Sequence, residues 1–398
     1  MAELRVPPLL VVAGLSARML AEAARTSGYR AIALDLFADR DTRRAAEACL
    51  PIGDAASLAI DGDALVDALG RARAAGAQAW VAGSGFDGHS ELLAAGQAVL
   101  PLAGNPPEVA ARVRDPAQFY GRLAALGIPH PQTRCDRPPS PRGWLRKNAA
   151  SSGGWDVRAA RPDDADAESS IYYQRIAAGV PMSALFVADG RRTRLVGVNM
   201  QIVRPFCGRP FVFHGCIGPV GVAPSVRCAL EAMLDALVAD FGLRGLNGLD
   251  FLLDDDEIRV IELNPRPPAS IALYPDAIPE GLLRAHVEAS CGGRLPAHDP
   301  HGAVAGVRGF ETVFAQRAWN VGAPESAALA QQTWCHDLPA SGTRIARGEP
   351  LCTASAAGGD ADEVEALLSQ RRRQIPFLLE QANERSSEGA RGRALECQ

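Results

Sequence analysis

Lysine is all but missing from this chain. One lysine, Lys147, stands among 41 basic residues in a chain of 398, and the remaining 40 are arginine. Generic cation positions have gone to arginine, so the position that keeps lysine is a candidate for chemistry that arginine does badly. A compact ammonium sits among phosphate oxygens where a planar guanidinium does not fit. Other absences narrow the field. The nine cysteines include no Cys-x-x-Cys pair, and His298-Asp299-Pro300-His301 has no cysteine nearby, so the spacing of a zinc site is missing. The cysteines read as small buried residues or free thiols, which points to a reducing, cytoplasmic setting. There is no basic excess. A net charge of −5 and a pI near 5.9 argue against nucleic acid or an anionic membrane as partner. No apolar run reaches the roughly 20 residues of a membrane helix. The apolar start, Val6 to Leu15, soon meets Ser16 and Arg18, and reads as a buried first strand rather than a leader.

What is present is ordinary for a folded protein of two or three domains: 47% hydrophobic and 22% charged residues. The first hundred residues alternate strand (9–13, 31–35, 79–82) and helix (63–75), a βαβ pattern with a parallel sheet. Helix resumes from about Pro106, through Arg114 and Gln118, to Leu126, and Gly127-Ile128-Pro129 breaks it. Short strands and Pro/Asp-rich turns follow to about 170. A strand over 171–176, further strands at 184–187 and 195–201, and an amphipathic helix over 226–241 come next. Another helix is expected over 281–290. Residues 303–356, with turn residues at hairpin spacing, read as a separate small β unit. A closing helix runs from Asp360 to about Ala382, with Pro376 as a candidate kink. The polar residues from 383 on are expected to be disordered.

Two segments carry chemistry. The first is Gly143-Trp144-Leu145-Arg146-Lys147, a strand-like run ending in the sole lysine, followed by the small, flexible Asn148-Ala149-Ala150-Ser151-Ser152-Gly153-Gly154. This puts a cation beside a loop whose backbone N–H groups can fold over phosphates. The second runs from Gly248 to Arg266 and reads as an antiparallel hairpin with Asp254 to Glu257 at its tip. A turn centred on Asp256 sets Asp250 opposite Glu262. Side chains alternate along a strand, so Glu262 and Asn264 share a face and Asp250 joins them from the neighbouring strand. Facing carboxylates repel unless a cation sits between them, and three oxygen donors on one face suit Mg²⁺. Arg266 is placed to reach the same anions.

Lysine with a Gly/Ser loop, a later Asp, and Glu-x-Asn-Pro-Arg resemble, in this order and spacing, the ATP-grasp superfamily over about residues 105–295. The resemblance implies an α/β and α+β protein: a Rossmann-like domain (1–105), an ATP-grasp domain (106–297) with a mobile lid at about 130–175, a C-terminal β subdomain plus helix (298–382), and a tail (383–398). It implies ATP and Mg²⁺ or Mn²⁺ as cofactors. Lys147 would contact ATP phosphates, and Ser151, Ser152, Gly153 and Gly154 would form the phosphate-covering loop. Arg114 stands where many members have a second phosphate-binding lysine. Gln174, Arg175 and Ile176 match the strand whose backbone holds adenine, although many members have Glu at the place of Gln174. Asp250, Glu262 and Asn264 match the metal ligands, and Arg266 the arginine that steadies the transferred phosphoryl group. Gln201, Arg204 and His214 are candidates for the acceptor pocket, with a structural role equally open for each.

The activity implied is that of a carboxylate–amine ligase working through an acyl phosphate, with small-molecule substrates and a homodimer as the expected assembly. A biotin-carboxylase-like component and a non-catalytic nucleotide-binding regulator are the alternatives. Similarity to ATP-grasp proteins among the one-carbon genes of methylotrophs suggests glutamate ligation in methanofuran- or tetrahydromethanopterin-type cofactor synthesis. A dinucleotide enzyme is disfavoured because Gly14-Leu15-Ser16-Ala17-Arg18 is not G-x-G-x-x-G, and a P-loop because the glycines follow the lysine. Lys147→Ala should lower ATP turnover far more than fold stability. Assaying turnover beside thermal unfolding checks this, and undiminished turnover in the folded variant would remove Lys147 from the chemistry.

Overall fold

The computed structural model describes residues 7–164, 170–300 and 304–396, with side chains described as far as 384. Val6 and His301, both named above, lie outside the described residues. The N-terminal sheet has four strands in the order Ala48–Pro51, Arg30–Asp35, Leu9–Ala13, Ala79–Ala82, all parallel. Leu9–Ala13 and Ala79–Ala82 are buried at every position, as expected for apolar strands covered on both faces. The helices Arg18–Thr26 and Gly62–Ala74 connect them, the second started by Asp61, whose side chain accepts from the N–H groups of Asp63 and Ala64. Asp35, which ends the second strand, accepts from the backbone N–H groups of Ala17 (2.6 Å), Phe37 (2.7 Å) and Ala38 (2.6 Å). Its oxygens are spent on the chain turn, which closes the ribose-binding role such a residue has in dinucleotide enzymes.

The helix expected over 106–126 is two helices, Pro107–Arg114 and Pro116–Ala125. Pro116 forces Asp115 out of the helical region, and the Asp115 side chain then caps the second helix by accepting from the Gln118 N–H at 3.0 Å. The break leaves Arg114 at a helix end, free to project. A four-stranded antiparallel sheet follows, in the order Thr133–Arg134, Ile171–Arg175, Trp144–Asn148, Arg158–Ala159.

The body is one eight-stranded sheet: Glu257–Asn264, Arg244–Asp254, Val180–Asp189, Thr193–Phe206, Arg209–Gly218, Val307–Phe314, Pro350–Gly358, Cys335–His336. Three of the C-terminal strands therefore belong to the body sheet rather than to a separate unit, and Trp319–Val321 and Thr343–Ile345 pair apart from it, with each other. Val307–Phe314 pairs antiparallel with Arg209–Gly218, setting Glu311 opposite Gly215. Turn spacing gives only local pairing, so this edge-to-edge joining of distant strands was illegible in the chain; it also covers an edge that would otherwise be open. The closing helix continues to Glu396, through Pro376, instead of ending near Ala382 in a disordered tail. Alanine, glutamate and arginine in the last stretch favour helix despite their polarity. Val364, Leu368, Ile375 and Leu379 bury one face of that helix against the end strands. Among the described residues no helix is long and apolar enough to cross a membrane.

A buried clamp joins the two ends of the chain. Arg18 donates to Asp337 through Nε (2.8 Å) and Nη2 (3.2 Å), and Asp41 accepts from the N–H groups of Asp337 and Leu338. Burial works against the charged carboxylate, but Arg18 outweighs it and holds Asp337 down at about 2, below its ordinary 3.8. The stabilisation is complete above about pH 4 and is lost as pH falls through about 2. Arg18→Leu should cost about 3–5 kcal/mol, because it strands a buried carboxylate, and should remove part of the wild-type acid dependence below pH ~4. Denaturant melts at several pH values read both.

Candidate active site

A cleft of about 500 Å³ opens between the small sheet and the body sheet, with loops of the N-terminal sheet at one end. Arg114, Lys147, Ser151, Ser152, Gly153, Gly154, Gln174, Arg175, Ile176, Asp250, Glu262, Asn264 and Arg266 all line it, and so does Gln201. Four distant stretches of sequence thus meet at one place.

On the small-sheet side, Lys147 lies opposite Tyr172 in the strand pair, and Gln174 is its diagonal neighbour. Lys147 is buried, donates from Nζ to Gln174 Oε1 at 3.2 Å, and lies over the Tyr172 ring at 5.4 Å. Gln174 in turn donates from Nε2 to Tyr120 Oη (3.0 Å) and Thr133 Oγ1 (3.2 Å). Its amide is fully engaged as a strut that aims the ammonium, which explains a long polar side chain in a buried strand. Arg175 stacks over Trp144 at 5.3 Å, and the Ile176 N–H already goes to Gly143 O at 3.0 Å. The Ile176 side chain is 54% exposed, an apolar surface turned into the cleft.

The glycine loop is docked onto the body sheet. The Phe213 N–H donates to Gly153 O at 2.9 Å. Gly154 has φ of +75°, and a Cβ there would lie 1.8 Å from Phe211 O, so only glycine fits. Trp155, next in sequence, is edge-on to Phe314 at 5.4 Å, and its carbonyl accepts from Arg209 Nε at 2.5 Å. The root of the loop is gripped by Arg114, whose guanidinium donates to the carbonyls of Ala149 (3.0 Å) and Ser151 (2.9 Å) and pairs with Glu262. Burial disfavours that charge, but Glu262 and Asp87 hold Arg114 protonated, its pKa raised.

On the floor, Asp250 lies opposite Glu262, as the turn position predicted. The route is different: Asp254 pairs with Glu257 around a two-residue turn, and a bulge at Ile261 restores the expected partners. Burial and the nearby Glu262 push the Asp250 carboxyl well above the usual carboxylate range. Asn264 Nδ2 donates to Asp250 Oδ2 at 3.2 Å; turned over, the amide offers its oxygen to the same space. Among the described residues no group of three His, Cys, Asp or Glu side chains is set to hold a metal. Two carboxylates under mutual repulsion, with an amide oxygen beside them, fit a hard divalent cation that takes its other ligands from water and phosphate.

Two acceptor-pocket candidates are not in the cleft. Arg204 pairs with the fully buried Glu311, which also meets Arg372 of the closing helix at 3.3 Å. His214 packs between Phe206 and Phe314, and burial, with Arg204 and Arg372 adding to it, pushes it down to about 4, so it is neutral. A bulge interrupts the pairing of Ile202 and Val203 with the next strand, between Gln201 and Arg204. Asp87 was missed. It lies in the polar loop after Ala79–Ala82, at the C-terminal end of a parallel strand, where ligands of such sheets bind.

Residues 113–270 match the ATP-grasp domain family. The chain carries an ATP-grasp domain. Solved structures similar to the whole chain include the biotin carboxylase domain dimer of Hydrogenobacter thermophilus 2-oxoglutarate carboxylase, which contains MgADP, ADP and bicarbonate (12% identity, TM-score 0.68, 95% of this chain and 94% of that one). N5-carboxyaminoimidazole ribonucleotide synthetase from Thermus thermophilus aligns at 16% identity (TM-score 0.65, 92% and 98%), and the Aspergillus clavatus N5-carboxyaminoimidazole synthase, with ADP and 5-aminoimidazole ribonucleotide, at 14% (0.66, 94% and 99%). At these identities the likeness is one of fold. No curated protein sequence matches the chain. Within the ATP-grasp fold, the glycine loop makes a sharp test. Gly154→Ala should lower ATP affinity by about tenfold or more, because a side chain there undocks the loop, while the melting temperature moves little. Nucleotide titration beside a thermal melt checks it.

Proposed function

We propose that this protein is an ATP-dependent, Mg²⁺- or Mn²⁺-dependent ligase that activates a carboxylate and joins it to an amine, releasing ADP. The observation that carries this reading is the meeting in one cleft of Lys147 and the docked glycine loop with the Asp250–Glu262 pair and Arg266. A carboxylate resists attack because its oxygen leaves poorly. Transfer of the γ-phosphoryl group to that oxygen breaks the β–γ bridge and gives ADP and an acyl phosphate. The amine nitrogen then attacks the carbonyl carbon, the C–O bond to phosphate breaks, and the nitrogen loses a proton.

Each residue has a part in that sequence. Lys147, aimed by Gln174, opposes phosphate charge as a point cation. The loop at Ser151–Gly154 presents backbone N–H groups to phosphate oxygens and keeps water from the acyl phosphate. Arg114 acts through the loop it grips and through Glu262. The exposed Ile176 side chain gives a flat base an apolar rest. Asp250, Glu262 and Asn264 would hold the divalent ion, which offsets phosphate charge when bound. Arg266 faces the transferring group. The eight described cysteines are all free, which fits a cytoplasmic enzyme.

Glutamate ligation onto a one-carbon cofactor precursor is the narrower candidate, resting on the sequence resemblance. A biotin-carboxylase-like reaction, with bicarbonate as the carboxylate, is the second reading and rests on the fold likeness. One assay separates them: ADP and phosphate release from MgATP, with glutamate plus a small-molecule extract of the source organism, or with bicarbonate, followed by mass spectrometry. Extract-dependent release with a product heavier by one glutamate residue is expected. Release that needs only bicarbonate favours the second reading, and tight ATP binding with no release in any mixture removes the ligase.

A further inference from the structure

Asp87 is almost fully buried, at 6% exposure, and has entered so far only as an anion near Arg114. It comes from the N-terminal sheet, yet it holds the arginine of the ATP-grasp cleft. Arg266 Nε lies 2.9 and 3.0 Å from the two Asp87 oxygens, and Nη2 lies 2.8 Å from Oδ2. This is a forked pairing that takes one edge of the guanidinium and fixes its plane. Nη2 also leans toward Asn264 Oδ1 at 3.4 Å. Nη1 has no hydrogen-bond partner among the described residues, and Arg266 lines the cleft. Burial pushes the Asp87 carboxyl up, but Arg266 and Arg114 outweigh that and hold it below the usual carboxylate range. It is therefore a permanent anion at neutral pH.

The next residue extends the same loop to the opposite wall. Gly88 has φ of +75°, and a Cβ there would lie 2.5 Å from Ala150 Cα, at the root of the glycine loop. Residues 87 and 88 thus touch both the arginine and the phosphate loop, from a part of the chain outside the matched ATP-grasp region.

We infer that Asp87 is a positioning residue: it turns Arg266 so that Nη1 alone faces the transferring phosphoryl group, and so makes the N-terminal sheet part of the catalytic apparatus. The inference rests on the proposed ligase reading. Its physical content is a choice between two effects of opposite sign. If Asp87 only offset the charge of Arg266, its isosteric neutralisation would leave a stronger cation and tighten binding of an anionic phosphoryl mimic. If Asp87 sets the geometry, neutralisation loosens the guanidinium and weakens that binding.

The test compares binding of MgADP alone with binding of MgADP plus aluminium fluoride, a mimic of the transferring phosphoryl group, in full-length protein. In Asp87→Asn the fluoride complex should weaken by about 10- to 100-fold, while MgADP alone stays within about twofold and the melt confirms folding. In an Arg266→Gln background the same Asp87 change should have no further effect on the fluoride complex, since the residue acts through the arginine. Asp87→Glu, which keeps the charge and is the fallback if the Asn variant fails to fold, should recover part of the loss. Tightening in Asp87→Asn, or an equal loss with Arg266 already removed, overturns the inference. Failure of the wild-type protein to bind MgADP overturns the ligase reading instead.

Discussion

The arrangement of the cleft depends on one unfavourable contact. Asp250 and Glu262 face each other across paired strands, and burial sharpens their repulsion. Every nearby cation is arranged around that contact. Arg114 reaches it from a helix end, Arg266 from the segment just past the hairpin, and Lys147 from the small four-stranded sheet, where its charge helps restrain Asp250. Each cation is itself held: Arg114 by loop carbonyls, Arg266 by Asp87, Lys147 by Gln174. The floor sets the charge pattern, and the surrounding elements fix where that charge points.

Much of this was legible in the chain because it rests on local rules. Strand alternation put Glu262 and Asn264 on one face, and the acidic tip marked the turn. Lysine depletion singled out Lys147. The parallel order of the first strands followed from the alternation of strand and helix. Asp250 opposite Glu262 came out as expected through two offsetting departures, a shorter turn and a bulge at Ile261, which periodicity alone does not see.

What was illegible depends on contacts between distant segments or on one-residue shifts of register. Arg204 and His214, for which a structural role was equally open, sit with Glu311 and Phe314, about a hundred residues away. The joining of Val307–Phe314 to the body sheet is a pairing of two edges that no turn signal announces. Asp87 carries no local signal, because its partner, Arg266, is far along the chain. The break at Asp115 was readable from Pro116, since a proline after aspartate commonly ends one helix and starts another; reading through it hid how Arg114 gains its reach.

The near absence of lysine has a chemical consequence of its own. An acyl phosphate is an acylating agent, and its usual casualties on a protein surface are lysine ammonium groups in their unprotonated form. This chain offers one side-chain amine, and that amine is 8% exposed, donates to Gln174 and lies at the reaction cleft itself. An activated intermediate that escapes therefore meets guanidinium groups where other surfaces carry lysine amines, and these stay protonated and resist acylation. On the proposed chemistry, acylation of a side-chain amine is confined to the residue whose loss would silence the enzyme that made the reagent.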